Sequence, residues 1–107
     1  MSTDRELLEL AAKAAGIDFR YVHNTAGGQF LWDGEKLVEW NPLTDDGDAL
    51  RLAVKLDIEL QRFKTIFIVK WGKAGNPYEW LSELLNPDPY AAARRAIVRA
   101  AAAIGRN

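Results

Sequence analysis

The densest group of side chains that could perform chemistry in this chain is a run of carboxylates near its centre. Asp45, Asp46 and Asp48 stand together, interrupted only by Gly47. Carboxylate oxygens are the ligands that Mg²⁺ and Ca²⁺ prefer, so a metal-dependent activity is one interpretation, although the spacing of an EF-hand loop is absent. The run also stands where a helix is predicted to begin, and carboxylates there accept hydrogen bonds from free N–H groups. We therefore predict helix capping and no bound metal.

Other catalytic constellations are missing from the sequence. The single histidine, His23, has beside it Tyr21, Asn24 and Thr25, which do not form a recognisable triad. There is no cysteine, which excludes thiol catalysis, disulfides and the common zinc sites. The glycines lack the spacing of phosphate-binding loops, and no Gly-x-Ser-x-Gly elbow occurs. We predict a protein that is not an enzyme and that needs no cofactor.

Tryptophans form the second conspicuous group, because four in 107 residues are many. Tryptophan buries a large area and is enriched at interface hot spots. Trp71 and Trp80 stand at the ends of predicted elements, and residues 81–85 have the spacing of a short amphipathic helix that could enter a groove. The sequence thus predicts a partner-binding surface made of Trp71, Trp80, Leu81 and Leu85. A second copy of the chain is one candidate partner.

Arginines form the third group, on the last predicted helix. Arg95, Arg99 and Arg106 share one stripe at helical spacing, and Arg94 lies beside it. Such a stripe could contact phosphates, so nucleic-acid binding through these four residues is the alternative function. A solvated helix face is the simpler interpretation.

Length and composition define the setting for these groups. A chain of 107 residues makes a single domain over residues 1–107, and 14 basic against 15 acidic side chains give a net charge of -1. Near-neutral charge argues against a polybasic membrane binder. No stretch approaches the roughly 18 apolar residues of a membrane span, and no signal segment is visible. We expect a cytoplasmic protein with no membrane partner.

The first predicted element is a helix from about Asp4 to Ala15. Thr3 and Glu6 have the spacing of a capping box, and Gly16 can supply the left-handed residue that ends the helix.

Three short strands are predicted next, over residues 17–23, 29–32 and 36–40. Asp33-Gly34 indicates a hairpin whose register is open, with Trp32 opposite either Glu35 or Leu37. Apolar residues fall on both faces in either register, which predicts a sheet covered on both sides.

The second half of the sequence alternates between helical and extended patterns. Thr44 or Asp45 would cap a helix over residues 46–60, and a strand is predicted over 64–71. A short helix is predicted to follow up to about residue 85, with a strand as the alternative. Asp88 would cap a last helix that starts with Pro89 and ends near Gly105. The predicted buried residues are Leu50, Ala53, Val54 and Leu60 on the second helix, and Tyr90, Ala93, Ile97, Ala101 and Ile104 on the last.

Three segments of the chain have sequences that are more distinctive than the rest. Residues 6–16, residues 40–56 (Trp40-Asn-Pro-Leu-Thr-Asp-Asp-Gly-Asp-Ala-Leu) and residues 88–104 (Asp88-Pro-Tyr-Ala-Ala-Ala-Arg-Arg) together resemble the phage ABA sandwich domain family. The resemblance implies an α+β fold with an antiparallel sheet of about four strands sandwiched between helices. It implies a phage or prophage protein of unknown activity in a bacterial cytoplasm. Its partner would then be an unknown host or phage protein.

Overall fold

The computed structural model describes residues 3–21, 28–72 and 78–106. Three helices and six strands are found in these ranges. In chain order they are α1 (Asp4–Ala15), β1 (Asp18–Tyr21), β2 (Gln29–Trp32), β3 (Leu37–Glu39), α2 (Asp46–Lys55), β4 (Glu59–Arg62), β5 (Ile66–Trp71), β6 (Glu79–Leu84) and α3 (Pro89–Gly105). None of the described helices is long and apolar enough to cross a membrane.

The strands form two separate antiparallel sheets. The first has the order β1-β2-β3 and the second the order β4-β5-β6. The α+β class with antiparallel strands is therefore confirmed, whereas a single sheet of about four strands between helical layers is not. Helix α1 contacts β1, helix α3 contacts β5 and β6, and α1 and α3 contact each other.

Local hydrogen bonds define the first half as the sequence predicts. The Thr3 hydroxyl accepts from the backbone N–H of Glu6, and Gly16 ends α1 with φ of 69°. The hairpin takes the wider register, with Trp32 opposite Leu37. His23, together with the neighbouring Asn24 and Thr25, lies outside the described residues.

Helix α2 ends earlier than predicted. Asp45 caps it by accepting from the N–H of Asp48, but the helix stops at Lys55, and Asp57 adopts a left-handed conformation with φ of 55°. The N–H of Ile58 then bonds the carbonyl of Ala53 at 2.9 Å, which closes the helix end. The prediction of a helix through residue 60 was wrong, because residues 59–62 pair with β5 instead.

The buried side of α2 also differs from the prediction. Ala49, Leu52 and Ala53 are buried, whereas Leu50 is 55% exposed and Val54 is 71% exposed. Leu60, now in β4, is 38% exposed. Of the four predicted core positions, only Ala53 is in the core. The helix faces the core with Ala49, Leu52 and Ala53 instead.

Residues 79–84 form strand β6, which corrects the helix prediction and supports its alternative. Six residue pairs join this strand to β5, from Ile66 opposite Leu84 to Trp71 opposite Glu79. A short helix there would lack these ladder bonds, and β5 would become an unpaired edge on that side.

The core centres on the contact of α1 with α3. Ala11 of α1 is fully buried, as are Ala96, Val98 and Ala100 of α3. Small side chains let the two helices approach closely. Tyr90 is 71% exposed, so its predicted place in the core was wrong, while Ile97 and Ala101 are buried as predicted.

Candidate functional site

The second sheet has one face in the core and one face toward solvent. Side chains alternate along β5, so Val69 and Trp71 point toward the core, where they are 0% and 4% exposed. Ile66 and Ile68 belong to the opposite side and remain partly accessible.

That opposite side, here called the outer face, carries a cluster of large apolar side chains. Trp80 is 63% exposed, Leu84 72%, Tyr78 74% and Phe63 48%. Large exposed apolar side chains that share one side of a sheet are typical of an interaction surface. The outer face comprises Glu59, Gln61, Phe63, Ile66, Ile68, Lys70, Tyr78, Trp80, Ser82 and Leu84.

Strand register arranges these residues in rows across the sheet. Ile66 lies opposite Leu84, and the N–H of Phe63 bonds the carbonyl of Ile66, so these three make one apolar row. The next row contains Gln61, Ile68 and Ser82.

The third row contains both charges of the outer face. Glu59 and Trp80 lie on either side of Lys70. Beyond this row, a Cβ atom at Gly72 would stand 3.1 Å from the ring of Tyr78, so the ring lies over this glycine. The outer face is thus bordered by aromatic residues at both ends, with one acid and one base between them.

The structure divides the predicted partner-binding residues between two sides of the sheet. Trp71 and Leu85 are each 4% exposed, and Leu81 is packed against the core cluster. The indole N–H of Trp71 is buried and has no hydrogen-bond acceptor among the described residues. Trp80 alone of the four is well exposed, because an extended strand separates residues that a helix would have grouped.

Of the four well-exposed apolar residues of the outer face, sequence reasoning missed three, namely Phe63, Tyr78 and Leu84. The signal was available in the alternative strand interpretation, since a period of two places residues 78, 80, 82 and 84 on one side. Phe63 could not be found locally, because its position depends on the β4–β5 turn.

The free edge of β6 is covered by an arginine. Arg99 of α3 donates to the carbonyl oxygen of Ser82 at 3.3 Å and also bonds the carboxylate of Glu83. Unpaired backbone groups on an edge strand invite pairing with another chain, and a charged side chain held there opposes it. Binding of a partner to the outer face is therefore better supported than addition of a partner's strand to this edge.

Three of the four predicted nucleic-acid-binding arginines line a common cleft. Arg95, Arg99 and Arg106 surround it together with Glu83, and its volume is about 540 Å³. Each side chain takes part in interactions within the chain, Arg95 with Asp4 at 3.4 Å and Arg99 with Glu83.

Arg94 lies away from this cleft. Its guanidinium donates to the carbonyl oxygen of Leu43 at 2.9 Å and to the carboxylate of Asp46 at 2.6 Å. These two hydrogen bonds connect α3 to the start of α2. The side chain is only 17% exposed.

Each of the three central carboxylates bonds to groups of the chain itself. Asp45 caps α2, Asp46 pairs with Arg94, and Asp48 accepts from the N–H of Asn41 and from Arg51. Among the described residues, no group of three metal-ligating side chains could hold an ion. The capping that the sequence predicts is therefore present at Asp45.

On the side of the first sheet that faces away from the core, Trp32 lies beside the ion pair of Arg20 and Asp18. Arg20 lies 5.6 Å from the ring centre of Trp32, which is 38% exposed. Asp18 accepts two hydrogen bonds from the same guanidinium, and these bonds lower the pKa of the Asp18 carboxyl. A tryptophan already covered by a paired arginine is a poorer anchor for a partner than Trp80.

No protein-family model matches the chain, and neither a curated protein nor a solved structure matches it.

Proposed function

We propose that this chain is a non-enzymatic protein-binding module whose contact surface is the outer face of the second sheet. The observation that carries the proposal is the exposure of Trp80, Leu84, Tyr78 and Phe63 on one side of three paired strands. Binding a partner would remove these side chains from water, at roughly 25 cal/mol for each Å² of apolar surface buried.

The arrangement has the parts of an interface centre. The indole of Trp80 and the aliphatic Ile68 and Leu84 supply apolar area, and the polar Gln61, Ser82 and Lys70 among them can form hydrogen bonds. Trp80 and Leu84 stand on strand β6, so binding through these two side chains costs little ordering of the backbone.

The origin of the module is also a proposal. The resemblance to the phage ABA sandwich domain family supports a phage or prophage accessory protein that acts in the bacterial cytoplasm on a host or phage protein. The family's helix–sheet–helix sandwich belongs to the same proposal.

A matched pair of variants tests the use of the outer face. Leu84→Glu places a charge at a 72% exposed position of the outer face, and Val54→Glu does so at a 71% exposed position of α2. Both variants should fold, because neither position is buried. We expect a protein captured stoichiometrically by the wild type to be lost with Leu84→Glu and retained with Val54→Glu. Equal capture by both variants would refute this surface.

A second candidate function, nucleic-acid binding, is favoured by the shared cleft of Arg95, Arg99 and Arg106. It predicts that affinity for a labelled duplex falls steeply with salt, as displaced counterions return. Replacing Arg95 and Arg106 by alanine should then abolish binding, whereas Lys55→Ala on α2 should not. Binding that is indifferent to salt and to both arginines would exclude this function.

A further inference from the structure

We infer that the cleft lined by Arg95, Arg99 and Arg106 binds a small organic phosphate monoester. Leu81 and Glu83 of β6 form the wall that faces these arginines of α3. Because side chains alternate along a strand, Leu81 and Glu83 lie on the opposite side of β6 from the outer face. The cleft is therefore a separate site, and the inference goes beyond protein binding through the outer face.

The three arginines are placed to hold one phosphate group. Arg95 and Arg99 are one turn apart on α3, and Arg106 follows two turns further on, so all three reach the cleft from one side of the helix. A guanidinium is a planar fork that can donate two parallel hydrogen bonds to phosphate oxygens. Three such forks around one cleft match the terminal oxygens of a phosphate monoester.

The charge of the cleft also matches a single phosphate group. Its three arginines and Glu83 have a net charge of +2, and a phosphate monoester carries about −1.5 to −2 at pH 7. Duplex nucleic acid presents phosphates along its whole length and is held by an extended basic surface. The chain as a whole has a net charge of -1, so the local positive charge favours the small ligand.

Carboxylate oxygens already contact two of the arginines. Arg99 bonds the carboxylate of Glu83, and Arg95 lies 3.4 Å from the carboxylate of Asp4. The side chains of Arg95 and Asp4 are 45% and 67% exposed, and ion pairs that are exposed to this extent are weak. A dianion that receives several charge-assisted hydrogen bonds can therefore take the place of Asp4 beside Arg95.

The rest of the lining is apolar and defines the other part of the ligand. Leu7 of α1, Leu81 and Ala103 belong to it. An organic group can bury apolar surface against these side chains, whereas a free phosphate ion has none to bury. The volume of about 540 Å³ lies within the roughly 300–1,000 Å³ of small-molecule sites. The ligand class is therefore an organic phosphate rather than the free ion.

Titration with phenyl phosphate, followed through the amide NMR signals of α3, tests the site. We expect saturable binding with a Kd of about 1 mM or below. Inorganic phosphate should bind more weakly, because it has no apolar group. Absence of phenyl phosphate binding by the wild type would overturn the inference, and so would equal affinity for the two compounds.

A double variant tests the part played by the arginines. Arg95 and Arg106 are both exposed, so replacing both by alanine should leave the fold intact. Phenyl phosphate should then bind at least about tenfold more weakly, because charge-assisted hydrogen bonds are lost. Arg51→Ala is the matched control, since Arg51 lies on α2 with its side chain 73% exposed. An equal loss of affinity in the control would contradict this site.

Glu83→Gln should have the opposite effect. Glutamine keeps a carbonyl oxygen for the Arg99 guanidinium but removes the one negative charge from the lining of the cleft. Phenyl phosphate should bind about fivefold more tightly, at the upper end of what one exposed charge pair contributes. Unchanged or weaker binding would contradict placing the phosphate beside Glu83.

A labelled duplex without terminal phosphates separates this inference from nucleic-acid binding. If the duplex binds through Arg95 and Arg106 while phenyl phosphate does not bind, the small ligand is refuted and nucleic-acid binding stands. Leu84→Glu changes only the outer face, so it should bind phenyl phosphate as the wild type does. Failure of protein binding through the outer face would therefore leave this inference intact.

Discussion

A Cβ atom at Gly105 would stand only 2.0 Å from the carbonyl oxygen of Leu10, so the end of α3 touches the backbone of α1. Because the obstacle is backbone rather than a flexible side chain, Gly105→Ala must push the two helices apart. Overpacking of this kind costs about 1–3 kcal/mol. We expect a loss of about 2 kcal/mol, or roughly 10 °C in Tm for a chain of this size. Thermal unfolding followed by circular dichroism measures this loss.

Gly47→Ala is the matched control for that substitution. Its Cβ would meet the guanidinium of Arg51 at 3.1 Å and the carboxylate of Asp45 at 3.2 Å, both at the ends of side chains. Helix propensity favours alanine over glycine by up to about 1 kcal/mol, so the Tm of this variant should be unchanged or higher. Similar losses in both variants would show that the close approach at Gly105 is unimportant.

Asp57→Gly should make the protein more stable. Asp57 holds φ of 55°, in a region that glycine enters without steric cost, at the point where α2 turns into β4. We expect a gain of about 0.5 kcal/mol in the free energy of unfolding, since the greater freedom of glycine in the unfolded chain offsets part of the relief. Urea denaturation measures this gain.

Asp57→Ala tells backbone strain apart from loss of the carboxylate. Alanine removes the same charge but keeps a Cβ, so it should lower stability by about 1 kcal/mol relative to glycine. A gain of equal size with alanine would assign the effect to charge and contradict the backbone argument.

The contrast between α1 and α2 shows how far the sequence predicts this fold. The start and end of α1 are decided by Thr3 and Gly16, whose hydrogen bonds and backbone angles are local. The end of α2 is decided by the pairing of residues 59–62 with β5. The spacing of apolar residues along the chain gives no information about that pairing. The same limit applies to β6, where six cross-strand pairs outweigh a helix-like pattern.

The candidate site was only partly predictable for the same reason. Trp80 could be nominated by its residue type, but its neighbours on the outer face come from three strands. Trp71 and Leu85 were nominated by type as well, although the register turns Trp71 toward the core and both are buried there. Composition thus indicated an interface, and only the strand pairing could say which side of the sheet forms it.

Arg99→Ala should uncover the free edge of β6. The substitution removes the donor to the Ser82 carbonyl and leaves the Glu83 carboxylate without its cation. The Arg99 side chain is 40% exposed, so solvent screening limits the loss of stability to about 1 kcal/mol. A stronger effect is expected on aggregation, because an uncovered edge strand can pair with other chains.

Arg95→Ala is the control for the edge, since Arg95 pairs with Asp4 at 3.4 Å and both side chains are largely exposed. Light scattering during incubation below the Tm should rise sooner for Arg99→Ala than for Arg95→Ala. Identical traces would mean that Arg99 does not protect the edge.

The hairpin of the first sheet should lose stability in acid through Asp33. The backbone N–H groups of Lys36 and Glu35 donate to its carboxylate at 2.9 and 2.8 Å, and these bonds hold the pKa of Asp33 below its ordinary value. A carboxyl with a lowered folded-state pKa stabilises the fold above its unfolded-state pKa, and the contribution disappears as the pH falls through the folded value. An NMR titration of the Asp33 carboxyl carbon should therefore show a midpoint below that of an unstructured peptide. Asp33→Asn keeps an oxygen acceptor but cannot titrate, so its stability should fall less steeply in acid than that of the wild type. An Asp33 midpoint equal to that of the peptide would contradict this account of the turn.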